Sequence, residues 1–185
     1  MYAGHLGLGL ALKAKEPRAQ TWALLLGVGF LDVLFGPFVL LGIERAHLTP
    51  GISPGFSLDY IDWSHSLLMS LVWATLYGLL FVKQGRAVAL ILGFSVFSHF
   101  LLDLPMHPGD LALWPGSAAH LGFGLWRVWP RGWWWVELAV VVISCSYYWW
   151  RARRVRTFGG RAGWAFATVV TLHLLNSPWL SPSKR

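Results

Sequence analysis

The chain has 185 residues, of which 56% are hydrophobic and only 12% charged, well below the roughly 25% charged residues of an ordinary soluble domain. Its net charge of +7 sits in short stretches between apolar runs, the pattern that sets membrane orientation, and this argues against a nucleic-acid partner. A single cysteine, Cys145, excludes an internal disulfide, and many of the thirteen tryptophans crowd the ends of apolar runs as interfacial belts do.

The first segment, MYAGHLGLGLALKAK, is apolar first and basic afterwards, the reverse of a cleavable secretory leader, and is read as mature structure. A span needs about 20 apolar residues and this run has about ten, so the expectation is a short, half-inserted helix carrying His5. Gly4, Gly7 and Gly9 would let a neighbour approach its backbone closely. The apolar run at 21–43 is interrupted by Asp32 and by Gly36-Pro37, where a kink is expected because proline removes a backbone donor. The run at 65–82 begins with His65, directly after Ser64, a good N-cap residue. The run at 87–104 ends at Pro105 and carries His99 and Asp103 four residues apart, on one helical face. The run at 133–150 lies between WWW and YYWW, and that at 162–180 contains His173 and Asn176. The predicted fold is all-α: one membrane-embedded domain over residues 1–185, a polytopic bundle of about five transmembrane helices plus the N-terminal half-helix.

Basic residues set its orientation. Lys13, Lys15 and Arg18, then Lys83 and Arg86, then Arg151 to Arg161 mark three connections as cytoplasmic. Segments 44–64 and 105–132 then face outward, placing His5, His65, His99 and Asp103 near the outer ends of their helices. Asp32 lies deeper, about 16 Å along its helix at about 1.5 Å per residue, and a kink beside it would let it meet the others.

Carboxylates and imidazoles in apolar surroundings are costly unless they pair, face water or bind a cation. Imidazoles combined with one or two carboxylates form a ligand set for zinc, or for manganese or iron where more oxygen ligands join. One or two ions are compatible with the set, with Asp103 as the bridge between two. Glu137, one turn inside its run, is the candidate general base, with snorkelling to the interface as its bland reading. His107 extends the His99–Asp103 face beyond Pro105, and ligand, substrate contact and simple loop residue are equal readings of it. Asp59 and Asp62 fit helix capping better than ligation. His47, His120 and His173 have no partner visible in sequence.

GHLGLGLALK near the start, Leu31-Asp32, SHSLL at 64–68 and SHFLLDLPMH at 98–107 resemble the small bacterial membrane proteins classed as metal-dependent hydrolases, over most of residues 1–140. The order His, Asp, His, His-x-x-x-Asp is also similar to the first half of the metal cluster of zinc-dependent phospholipase C, whose later histidines have no counterpart in this chain. This resemblance implies a multi-pass protein of the bacterial inner membrane with its N-terminal basic loop cytoplasmic. It further implies a phosphoester hydrolase whose metal is held by His5, Asp32, His65, His99 and Asp103; the topology turns that site outward, and a site opening at the interface would take a lipid or lipid-linked substrate. Two other classes fit the same residues: a non-catalytic membrane protein with a structural metal site, and an ion carrier in which Asp32 titrates.

Overall fold

The computed structural model describes residues 1–49, 55–154 and 159–180. It opens with α1 (Tyr2–Lys15), then α2 (Thr21–Val28) and α3 (Phe30–Leu40), two halves of one apolar run broken at Gly29 and bent by 54°. α3 runs through Gly36-Pro37 without a break, and the break with the 54° bend comes at Gly29, before Asp32. An antiparallel hairpin follows, β1 (Arg45–Leu48) with β2 (Phe56–Tyr60), in a register from Arg45 opposite Tyr60 to Leu48 opposite Phe56. A single turn, α4 (Asp62–His65), leads into α5 (Leu67–Leu80), whose N-cap is Ser66, accepting the Met69 N–H at 3.3 Å. Ser64 is therefore not the cap the sequence suggested. A 3-10 turn (Val82–Gln84) reverses the chain into α6 (Arg86–Asp103). A small hairpin of β3 (Leu111–Ala112) and β4 (His120–Leu121), the turn α7 (Leu125–Val128), and the helices α8 (Gly132–Ala152) and α9 (Gly159–Leu175) complete the described elements.

Small residues fix how these helices meet. A Cβ on Gly78 would lie 2.8 Å from the Ala89 carbonyl oxygen, and one on Gly93 would lie 2.8 Å from that of Ala74. The pairs Ala74/Gly78 on α5 and Ala89/Gly93 on α6, each spaced by four, thus let the two backbones touch, in the manner of small-xxx-small helix interfaces. Tyr77 of α5 reaches past this seam and donates its hydroxyl to the Ala23 carbonyl of α2 at 2.7 Å. One apolar core forms around α2, α5 and α6, centred on Leu24, Leu92, Val96 and Phe100. A second joins α1, α8 and α9 through Leu10, Val141, Cys145 and Val169. The N-terminal segment forms a 14-residue helix, α1, packed along α8, where Gly7 faces the Val141 backbone.

Two sequence-based expectations are corrected. The fold is not all-α, since β1 pairs with β2 and β3 pairs with β4. Nor is there a polytopic bundle of five transmembrane spans: among the described residues only α6 is long and apolar enough to cross a membrane, with α2 and α3 as a second only if the bent pair counts as one span. The physical reasons are local. Gly29 breaks the first run, and the 14 residues of α5 rise only about 21 Å against a hydrocarbon core of about 30 Å. The tryptophans, tyrosines, serines and Glu137 of α8 dilute its hydropathy despite its 21 residues.

Candidate metal centre

α6 carries the centre of the site. His99 and Asp103, one turn apart, are both buried, and His99 Nε2 lies 3.0 Å from Asp103 Oδ2. The break at Gly29 helps to place His99: the Val28 carbonyl, released from the helical ladder at the end of α2, lies 2.7 Å from His99 Nδ1. A carbonyl only accepts, so Nδ1 carries a proton and Nε2 is the nitrogen turned to the site.

Asp103 is approached from both sides. Its Oδ1 lies 3.1 Å from His5 Nε2 of α1 and 3.6 Å from the Met1 amino nitrogen, while its Oδ2 also faces His107 Nε2 at 3.7 Å. His5 stacks on His99 with ring centroids 4.0 Å apart, and its own Nδ1 is buried without a hydrogen-bond partner. Because the chain bends just before it, Asp32 enters from α3. Its Oδ1 lies 3.5 Å from His65 Nε2 and 3.7 Å from His99 Nε2, and its side chain, 59% exposed, is the most open of the set.

All five sequence-derived ligand candidates, together with Glu137 and His107, line one cavity of about 610 Å³. Two triads place their ligating atoms within 4.8 Å of one another: His5, His99 and Asp103, and Asp32, His65 and His99. An ion held tetrahedrally by bonds of about 2.0–2.1 Å keeps its ligand atoms about 3.3–3.4 Å apart. The imidazole–carboxylate separations of 3.0 to 3.7 Å bracket that spacing and all ligating atoms of each triad lie within 4.8 Å, so the donor set is compatible with a zinc-sized cation. His99 has one free nitrogen and completes only one triad at a time; a second ion would rest on His5 and Asp103 with further ligands from solvent.

The outer ring of hydrogen bonds was not legible as such in the sequence. His65 Nδ1 lies 2.6 Å from Ser64 Oγ, which in turn lies 2.8 Å from Glu44 Oε2. His107 Nδ1 lies 2.8 Å from Asp110 Oδ1, and Trp126 packs on the His107 ring at 4.6 Å. Burial lowers His65 below its ordinary value of 6.5, partly opposed by the Asp32 carboxylate, which favours the neutral imidazole a metal requires. Glu44 moves the other way, burial raising it against the hydrogen bonds from Ser64. The spacing of Asp110, three residues after His107, was available as a signal; Glu44, beside Arg45 at the end of an apolar run, offered none.

Glu137 lies on α8, fully buried, with Oε1 accepting the Gly4 N–H at 3.0 Å and Oε2 without a hydrogen-bond partner. It does not snorkel to the surface. His173, which showed no partner in the sequence, is its neighbour, with Nδ1 at 3.7 Å from Glu137 Oε2. Two other residues also find partners: His47 pairs with Asp59 at 2.7 Å, and Asp62, in the first turn of α4, accepts the Gly116 N–H at 2.8 Å.

No family model, no curated protein and no solved structure matches this chain.

Proposed function

We propose that this protein is a membrane-attached, metal-dependent hydrolase of a phosphoester, acting on a lipid or lipid-linked substrate. The single observation that carries the reading is the convergence of Asp32, His65, His99, Asp103 and His5, drawn from four helices, on the wall of one open cavity. A structural ion is normally closed off by four protein ligands, whereas a triad beside open space leaves a coordination position for water or substrate. The ligand set of histidines with carboxylates suits zinc, as one or two ions. When bound, such an ion lowers the pKa of its water toward neutrality and polarises a phosphoryl oxygen.

The chain's own residues supply the rest. His65 and His99 present Nε2, and Asp103 presents one oxygen to His5 and the other to His99 and His107. Glu137 holds one oxygen on the Gly4 N–H, and its unpartnered Oε2 is the acceptor for a proton from attacking water. Phe35, Phe56, Leu58 and Trp126 add apolar lining to the same cavity, suited to a substrate with hydrocarbon beside its reacting centre. Membrane attachment is supported by the bare outer flanks of α3 and α5, where Leu40, Leu76, Leu79 and Leu80 are exposed without a covering element, and by Lys83 and Arg86 at the turn between α5 and α6.

The test is hydrolysis by zinc-loaded protein of a panel of phosphomonoesters, phosphodiesters and phospholipids, in detergent and in vesicles. Turnover that disappears with chelator and returns with zinc is expected. Absence of turnover across the panel from protein with full metal content would reject catalysis.

A further inference from the structure

Glu44 is 1% exposed, and among the described residues no lysine or arginine forms an ion pair with it. A carboxylate so placed is unfavourable unless its charge is answered elsewhere. Its oxygens accept from the Ser64 backbone N–H at 2.7 Å to Oε1 and from the Ser64 hydroxyl at 2.9 Å to Oε1 and 2.8 Å to Oε2, with the Trp63 backbone N–H as a further donor. Ser64 is fully buried, and its Oγ lies 2.6 Å from His65 Nδ1. The serine has one proton to give. With that proton on Glu44, the serine oxygen must accept from His65, so Nδ1 carries the hydrogen and Nε2 is left as a lone pair 3.5 Å from Asp32 Oδ1.

We infer that Glu44 is a positioning residue for the metal centre, acting through the Ser64 hydroxyl to hold His65 in the tautomer and orientation that bind a cation. The inference rests on the metal reading given above and adds to it the group that answers the Glu44 charge, a cation two hydrogen bonds away. It also accounts for why Ser64, although well placed in sequence to cap α5, leaves that task to Ser66. Through Glu44, whose own N–H donates to the Phe38 carbonyl at 3.1 Å, the start of the β1–β2 hairpin is tied to a ligand of the centre. Carboxylate partners of metal-bound histidines typically contribute 10- to 100-fold in metal affinity.

The experiment is zinc affinity of the full-length protein, measured by competition with a chromophoric chelator. Ser64→Ala and Glu44→Gln are expected to weaken binding by about 10- to 100-fold. Ser64→Thr, which keeps the hydroxyl, should restore affinity to within about threefold, a recovery that a purely structural role for the serine methylene would not produce. Nitrogen-15 spectra of labelled histidine give a second readout, with the His65 Nδ1–H tautomer present in the parent protein and lost in Ser64→Ala. Parent-like affinity in both Ser64→Ala and Glu44→Gln, while His65→Ala loses zinc, would overturn this inference and leave the metal centre standing. Failure of the parent protein itself to bind zinc would overturn both.

Discussion

The protein holds two buried assemblies of imidazole and carboxylate, and they differ in a way that separates a ligand cluster from an internal pair. Around Asp103, three histidines direct Nε2 toward carboxylate oxygens, and two of these, His99 and His107, have Nδ1 held from behind by Val28 and Asp110. At Glu137 and His173, the histidine is fully enclosed and stacked on Trp134 at 4.4 Å. Both of its nitrogens lack hydrogen bonds, and its approach to the carboxylate is a loose 3.7 Å. Orientation from behind is what prepares a ring to ligate. His173 lacks it, as His5 also does, but His5 meets Asp103 at 3.1 Å within a triad, whereas His173 lies outside both triads and meets only Glu137, so it is a buried neighbour of that carboxylate.

Substitutions can break this contrast. The largest effect is expected from Asp103→Asn, which removes the group shared by His5, His99 and His107; metal content should fall to at most the one ion that Asp32, His65 and His99 can hold, and turnover should drop by about a thousandfold, roughly 4 kcal/mol of transition-state stabilisation. Glu137→Gln should keep the metal while lowering turnover by about a hundredfold, as read from metal analysis and kcat on one preparation. Asp110→Asn, which loosens the hold on His107, should weaken zinc affinity by about tenfold if His107 ligates, and by less than twofold if it only contacts substrate. His173→Phe should leave metal content unchanged and shift stability by about 1 kcal/mol or less, because it replaces an unsatisfied ring by an apolar one of similar shape.

A pH measurement sharpens the same comparison. His65 titrates below 6.5 in the folded protein because burial disfavours its charged form, so the unfolded chain binds the extra proton first as pH falls. This contribution to the stability of metal-free protein is intact above pH 6.5 and declines as pH drops through the lowered folded-state value. Thermal melts of parent and His65→Gln should therefore converge as the pH is lowered below about 6.5, and a gap that stays constant would contradict the assignment.

Much of the site was legible in sequence because its parts are local. The four-residue spacing of His99 and Asp103 defines one helical face, and an acid inside an apolar run, as Asp32 is, must be paired, protonated or ligating. Their meeting was only partly legible: it depends on a bend at Gly29, where a glycine between apolar residues gives no stronger signal than the Gly36-Pro37 pair, which does not break the helix. The spans were misjudged for a related reason, since apolar length in sequence does not show where a helix breaks, or that β1 pairs with β2 and β3 with β4. Partners distant in sequence were the least visible. Glu44 and Ser64 are 20 residues apart, and Glu137 and His173 are 36 apart, so no helical or strand period links them.

The most direct test of the account is the zinc content of the purified chain after loading and exhaustive desalting, measured by elemental analysis beside Asp103→Asn. One or two ions per chain in the parent and a lower content in the variant, at most the one ion of the Asp32–His65–His99 triad, are predicted. A parent chain that retains no zinc, manganese or iron would contradict a metal centre at Asp103.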